Sequence, residues 1–177
     1  RLSRRPWRNW SGKRPVSKRW VVNTSPIVVL SKIDCIHLLA DMSEKLIIPH
    51  AVANEIEAFL DRDPPREWIE DKGKPLIVDP IPIDPSISDS DLGRGESEVL
   101  SHALCDPGLE ALIDDRAARD LARRLGIPFR GTIGLLLLAK REGRIETLKP
   151  KLMDISEVGL YVDNQILNRA LELAGED

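Results

Sequence analysis

Short apolar runs alternate along this chain with longer stretches in which apolar residues return every three or four positions. Trp20-Val21-Val22, Leu46-Ile47-Ile48, Leu76-Ile77-Val78, Ala111-Leu112-Ile113 and Ile127-Pro128-Phe129 are bounded by turn-prone or polar residues and read as buried strands. Ile27, Leu30, Ile33, Ile36, Leu38 and Leu39 predict two short helices broken near Asp34, with Ser25 as the first cap and Pro26 at the first helical position. His50 to Leu60 places Val52, Ile56, Phe59 and Leu60 on one face. Further helices are predicted from Glu96 to Leu104, from Arg116 to Leu125 with Gly126 as its stop, from Gly131 to Arg141, and roughly over 150–157 and 163–174. Asp61 to Asp91 is proline-rich and polar and, apart from its one strand, is expected to be a long surface segment. Strands and helices alternate about five times, the pattern of a parallel sheet covered on both faces. The expected fold class is therefore α/β, a three-layer α/β/α sandwich around a parallel sheet of four or five strands.

Composition refines this picture. At 177 residues, 42% hydrophobic and 31% charged, the chain suits one globular domain with a short appendage. No apolar run approaches the roughly 20 residues that cross a bilayer, so no membrane partner is expected. Cys35 and Cys105 lack metal-ligand spacing, which argues against structural zinc and disulfides and for a reducing, cytoplasmic setting. The net charge of −3 hides an asymmetry: residues 1–20 hold eight bases and no acid, leaving 18 bases against 29 acids, a net of −11, in the rest. Residues 1–19, with Trp7 and Trp10 among the bases, read as a basic extension. It is either an arm that contacts phosphates and bases or a disordered or artefactual terminus, and the domain proper is expected over 20–177.

Several polar groups fall where strands end or helices begin. Asn23 follows the first strand; its amide oxygen can bind a hard cation, though Asn is also a natural turn residue. Glu55 lies close to the apolar stripe of its helix, where a carboxylate is costly unless paired, bound to a cation or able to reach water. Glu96 shares a face with Val99, Leu100 and Ala103 in a first helical turn, where an acid also suits the helix dipole; Glu98 points elsewhere and reads as solvated. Asp114 and Asp115 end a strand and open a helix; one of them can be a cap, yet two adjacent acids repel unless a cation joins them. All these segments map to the carboxyl rim of a parallel sheet, where groups converge on one crevice. Oxygen ligands gathered there suit Mg2+ or Mn2+. Phosphate-binding glycine loops, hydrolase nucleophile elbows and zinc-type histidine spacing are absent, and His37, His50 and His102 are scattered.

The words Val22-Asn23-Thr24-Ser25-Pro26-Ile27, Ile48-Pro49-His50-Ala51-Val52 with Glu55-Ile56, Leu92-Gly93-Arg94-Gly95-Glu96, Ile113-Asp114-Asp115-Arg116-Ala117-Ala118-Arg119 and Gly131-Thr132-Ile133-Gly134-Leu135-Leu136 resemble those of a PIN-domain protein. The closer likeness is to a prokaryotic subgroup related to the VapC-type toxin nucleases, and it spans Trp20 to Gly175. The resemblance implies a metal-dependent endoribonuclease using Mg2+ or Mn2+. It implies catalytic acids at Glu55, Glu96, Asp114 and Asp115, and metal ligands at Asn23, Glu55, Glu96 and Asp115. Ser25 and Arg119 are then substrate-binding candidates, Ser25 otherwise a cap and Arg119 otherwise an exposed helix residue. Asn23 departs from the family pattern, which has Asp there. The resemblance also implies RNA as partner, a small antitoxin protein and a homodimer. The alternative it leaves is a catalytically degenerate module that binds an antitoxin-like partner or nucleic acid. Arg94, Arg116, Arg123, Arg124, Arg130, Lys140 and Arg141 either frame the cleft or lie on solvated helix faces.

Overall fold

The computed structural model describes residues 18–60 and 62–176. Among them, five strands form one all-parallel sheet: β1 (Arg19–Val22), β2 (Lys45–Pro49), β3 (Ile77–Val78), β4 (Glu110–Leu112) and β5 (Phe129–Arg130), in the order β3-β2-β1-β4-β5. The helices of the described residues are α1 (Thr24–Lys32), α2 (His37–Met42), α3 (His50–Glu57), α4 (Pro64–Trp68), α5 (Pro85–Ser88), α6 (Arg94–Cys105), α7 (Arg116–Leu125), α8 (Thr132–Arg141), α9 (Lys149–Glu157) and α10 (Asn164–Ala174). Parallel neighbours require crossovers, and these helices supply them in the α/β/α sandwich that the sequence pattern predicts. The basic extension, Trp7 and Trp10 included, lies outside the described residues except for its end. There Lys18 pairs with Glu142, and Arg19 opens β1 and pairs with Asp106.

β1 is central, and Trp20, Val21 and Val22 are all fully buried. That is why the strand reads as an unbroken apolar run rather than an alternating one. Val21 is in register with Ile47 of β2 on one side and Ala111 of β4 on the other. Chain order runs outward from β1 to β3 and then jumps back across β1 to β4, so the strand order reverses between β1 and β4. A crevice opens at such a reversal, beyond the carboxyl ends of the strands. The ladder continues one step past the strands: the Asn23 N–H donates to the Leu112 carbonyl at 3.0 Å and the Ile113 N–H to the Arg130 carbonyl at 2.9 Å. Asn23 and Asp114 therefore emerge at the same rim.

One polar network is sealed at the sheet. Glu110 is 7% exposed; it accepts from the Trp20 indole N–H at 3.1 Å and from Arg130 Nε and Nη2 at 3.2 and 3.0 Å. It ties β1, β4 and β5 together side chain to side chain.

Three readings change. The break at Asp34 (φ 56) and the stop of α7 at Gly126 stand as expected, but α1 starts earlier, with Asn23 at its cap position and Ser25 and Pro26 inside its first turn. Pro26 is tolerated there because the first N–H groups of a helix have no intrahelical partner. α3 stops at Glu57 rather than Leu60, and Leu60 is 77% exposed. The chain must turn there, because Pro64 and Pro65 occupy the first two positions of a new helix, α4. The proline-rich stretch is not a plain surface segment: α4, a π-turn at Ile69–Gly73, a 3-10 turn at Lys74–Leu76 and α5 are folded there, and Trp68, Ile69 and Ile87 are buried.

Candidate active site

Asn23, delivered by the end of β1, is 1% exposed. Its Nδ2 donates to Glu96 Oε1 at 3.0 Å, while its Oδ1 is buried with no hydrogen-bond partner among the described residues. Glu55 approaches from α3. Its Oε1 accepts from the Gly95 N–H at 3.0 Å and its Oε2 from the Thr24 hydroxyl. Gly95 makes this approach possible. A side-chain carbon on it would stand 2.6 Å from Glu55 Oε1, 2.9 Å from Oε2 and 3.1 Å from Asn23 Oδ1, so any larger residue would push the carboxylate and the amide apart. The same distances show that these oxygens crowd one point at the start of α6, beside Glu96.

Asp114 follows β4. Its Oδ1 accepts from the Thr132 N–H at 2.8 Å, and its Oδ2 accepts from the Thr132 hydroxyl at 2.6 Å and the Ser25 hydroxyl at 3.3 Å. Ser25 thus bridges α1 to the end of β4 across the strand-order reversal, and it is not a helix cap. Asp115 stands apart. It is exposed and takes the cap position of α7, its Oδ1 accepting from the Ala118 N–H at 2.8 Å. Of the two adjacent acids, Asp114 joins the crevice hydroxyls and Asp115 holds the helix.

The side chain of Arg119, a half-buried residue of α7, has no hydrogen bond or ion pair among the described residues. A carbon built on Gly131 would lie 3.7 Å from its Nη1 and 3.1 Å from Asp114 Oδ1, which places the guanidinium at the same rim. Most other bases are occupied: Arg94 with Glu98, Arg116 and Arg123 with Asp120, Arg130 with Glu110, and Lys140 with Glu176.

Glu98 departs from its reading as a solvated residue. It is 2% exposed, and its Oε2 accepts from the Ala51 N–H at 2.9 Å. α3 has no side-chain cap of its own, so α6 supplies one from outside. Glu98 to Ala51 and Gly95 to Glu55 are two links between the helices that carry Glu55 and Glu96. Thr24 and Thr132 were missed as site residues. The available signal for Thr132 was its place: like Asn23, it stands just past the carboxyl end of a strand.

Thr24, Ser25, Glu55 and Glu96 line a cleft of about 380 Å³ that is completed by Val28, Val29 and the segment Val158-Gly159-Leu160. Among the described residues no three His, Cys, Asp or Glu side chains form a ready metal cage. The donor set nevertheless fits a hard cation. It is all oxygen, with two carboxylates and an amide oxygen that is buried and unpartnered. Mg2+ is commonly held by one or two carboxylates, with water and substrate phosphate completing its shell.

Residues 19–176 match a protein family described as a PIN domain (DUF3368). No curated protein and no solved structure matches the chain. Among the described residues no helix is long and apolar enough to cross a membrane.

Proposed function

Starting from a chain that belongs to the PIN-domain family, a fold of nuclease type, we propose a metal-dependent endoribonuclease of the VapC-like toxin type that hydrolyses RNA phosphodiester bonds. The observation that carries this reading is Asn23 Oδ1, buried and without a partner among the described residues, which lies with the Glu55 carboxylate at the start of α6 beside Glu96. An unsatisfied buried acceptor is destabilising unless something completes it.

Asn23, Glu55 and Glu96 hold the ion in this reading, with Asp114 as the third acid of the crevice and Asp115 at its rim. Mg2+ or Mn2+, when bound, supplies a Lewis acid for a phosphoryl oxygen and makes neutral-pH attack by water accessible. Glu96 Oε1 is taken by the Asn23 amide, which leaves Oε2 to accept a proton from the attacking water. Asp114 is fixed by three donors, so Ser25 and Thr132 keep its charge oriented while the strand passes. Arg119, uncommitted to any acid among the described residues, offers its guanidinium to a backbone phosphate. The acids repel RNA until a cation joins them, so binding and ion uptake are coupled. A small antitoxin that fills the cleft and a homodimeric assembly complete the proposal.

A second reading is favoured by Asn23 itself: with an amide where the family pattern has a carboxylate, the chain is a degenerate module that binds an antitoxin-like partner or nucleic acid. Incubation of structured RNA with Mn2+ separates the two. Wild type cleaves; Glu55→Ala and Glu96→Ala lose at least about 100-fold in rate. Asp114→Ala loses more than Asp115→Ala. Equal cleavage by all five proteins rejects the site. No cleavage together with no ion uptake in titration calorimetry selects the interaction module.

A further inference from the structure

The acid-lined cleft has apolar lining that hydrolysis itself does not use. Val28 and Val29 of α1 and Val158 and Leu160 beyond α9 complete it. The segment after α9 is closed by two hydrogen bonds: the Gly159 N–H donates to the Ser156 carbonyl at 3.4 Å and the Leu160 N–H to the Ile155 carbonyl at 3.3 Å. Gly159 has a φ of 91°, a conformation that glycine adopts without strain, and this pair of bonds fixes the direction in which the chain leaves a helix. Leu160 and Val162 pack on the core, and Tyr161 between them is turned outward, 93% exposed. It is the single tyrosine of the chain, and it has no hydrogen bond or ion pair among the described residues.

An isolated exposed aromatic carries little meaning. Tyr161 differs because it directly follows a residue that walls the cleft, on a segment locked in place. The chemistry of the cleft also leaves a gap to fill. Carboxylates at the reacting centre repel the phosphates of the strand, so attraction beyond what the ion and Arg119 supply has to come from a part of RNA that bears no charge. Bases supply it: each has an apolar face that stacks on aromatic rings and lies against aliphatic surface.

We propose that Val28, Val29 and Leu160 seat one unpaired nucleobase beside the scissile phosphodiester, and that Tyr161 stacks on the adjoining base. The identity of the bound strand rests on the nuclease reading above. Tyr161 acts as a positioning residue for the substrate.

The test uses an oligoribonucleotide carrying 2-aminopurine, whose fluorescence falls on stacking, titrated in Mn2+ with wild type, Tyr161→Trp and Tyr161→Ala. The same proteins are assayed on matched RNAs with and without an abasic residue in place of the base that adjoins the one beside the cut. Quenching is expected for wild type and Tyr161→Trp, with about tenfold weaker binding by Tyr161→Ala. Wild type is expected to lose a similar factor in kcat/KM on the abasic RNA, and Tyr161→Ala to lose little further. Because Tyr161 is exposed, its replacement does not test folding, and an unchanged melting temperature verifies this. If wild type cleaves but Tyr161→Ala binds equally and discriminates the abasic RNA equally, the base seat is overturned and the nuclease reading survives. Quenching that depends on Tyr161 without any cleavage does the reverse. If there is neither quenching nor cleavage, both fall.

Discussion

At the scale of single residues, the centre is arranged around an amide. Asn23 donates to Glu96, which a carboxylate in its place cannot do, and it brings no charge of its own. Asn23→Asp is therefore expected to lower the melting temperature in the absence of divalent ions, because a second acid then faces Glu96. In Mn2+ it is expected to rise further than wild type, with roughly tenfold tighter binding, equivalent to about 1.4 kcal/mol. Thermal melts with and without Mn2+, paired with calorimetry, check this; identical ion affinity would remove Asn23 from the ligand set. Asn23, Glu55, Glu96 and Asp114 were each legible in sequence as polar groups at strand ends or on the inner side of a helix. What sequence did not reveal was which neighbour completes each one. Glu98 looked solvated by its place on α6 alone, yet α3 lies over it and its carboxylate caps that helix. The choice of Asp114 over Asp115 for the crevice likewise depends on Thr132, eighteen residues away in sequence.

At the scale of elements, helices with a steady apolar period were readable nearly to their ends, α7, α8 and α10 among them. α4 was not, because it is five residues long, opens on two prolines and buries only Pro65 and Trp68 before the chain passes into a π-turn, too short a stretch for a period to show. α6 carries a further consequence at its far end. His102 lies half-buried, and its Nε2 has no partner among the described residues. Burial pushes its pKa below the ordinary imidazole value of 6.5, with Glu98 opposing and Lys45 reinforcing the shift. Between the folded value and 6.5 the unfolded chain binds more protons than the folded one, so stability falls as pH drops through that window and is insensitive to His102 above it. Urea unfolding across pH about 5 to 8 should show this slope in wild type and a shallower one in His102→Gln. Parallel slopes would mean that His102 titrates alike in both states.

At the scale of the whole molecule, five parallel strands were foreseeable from the alternation of runs, but their order was not, because each was announced by the same kind of short apolar run and nothing local marks its neighbour. The Glu110–Arg130–Trp20 network identifies one such neighbourhood in side chains. Removing Arg130 leaves a buried carboxylate without its cation, so Arg130→Met is expected to destabilise the fold by about 3–5 kcal/mol in urea unfolding. A loss near zero would mean that Glu110 finds water or another partner when the guanidinium is removed.

The position of β1 has a temporal side. Val21 is in register with Ile47 and also with Ala111. The first of these five strands to be synthesised is thus the one whose second flank is covered only after two more strands have been made. Until β4 docks, the crevice has one bank, Trp20 lacks its indole acceptor, and neither Asp114 nor Thr132 is present to face Ser25. A site divided between the two flanks of β1 is therefore incomplete until the chain has been made past Thr132, and a fragment that stops before β4 lacks one whole side of it.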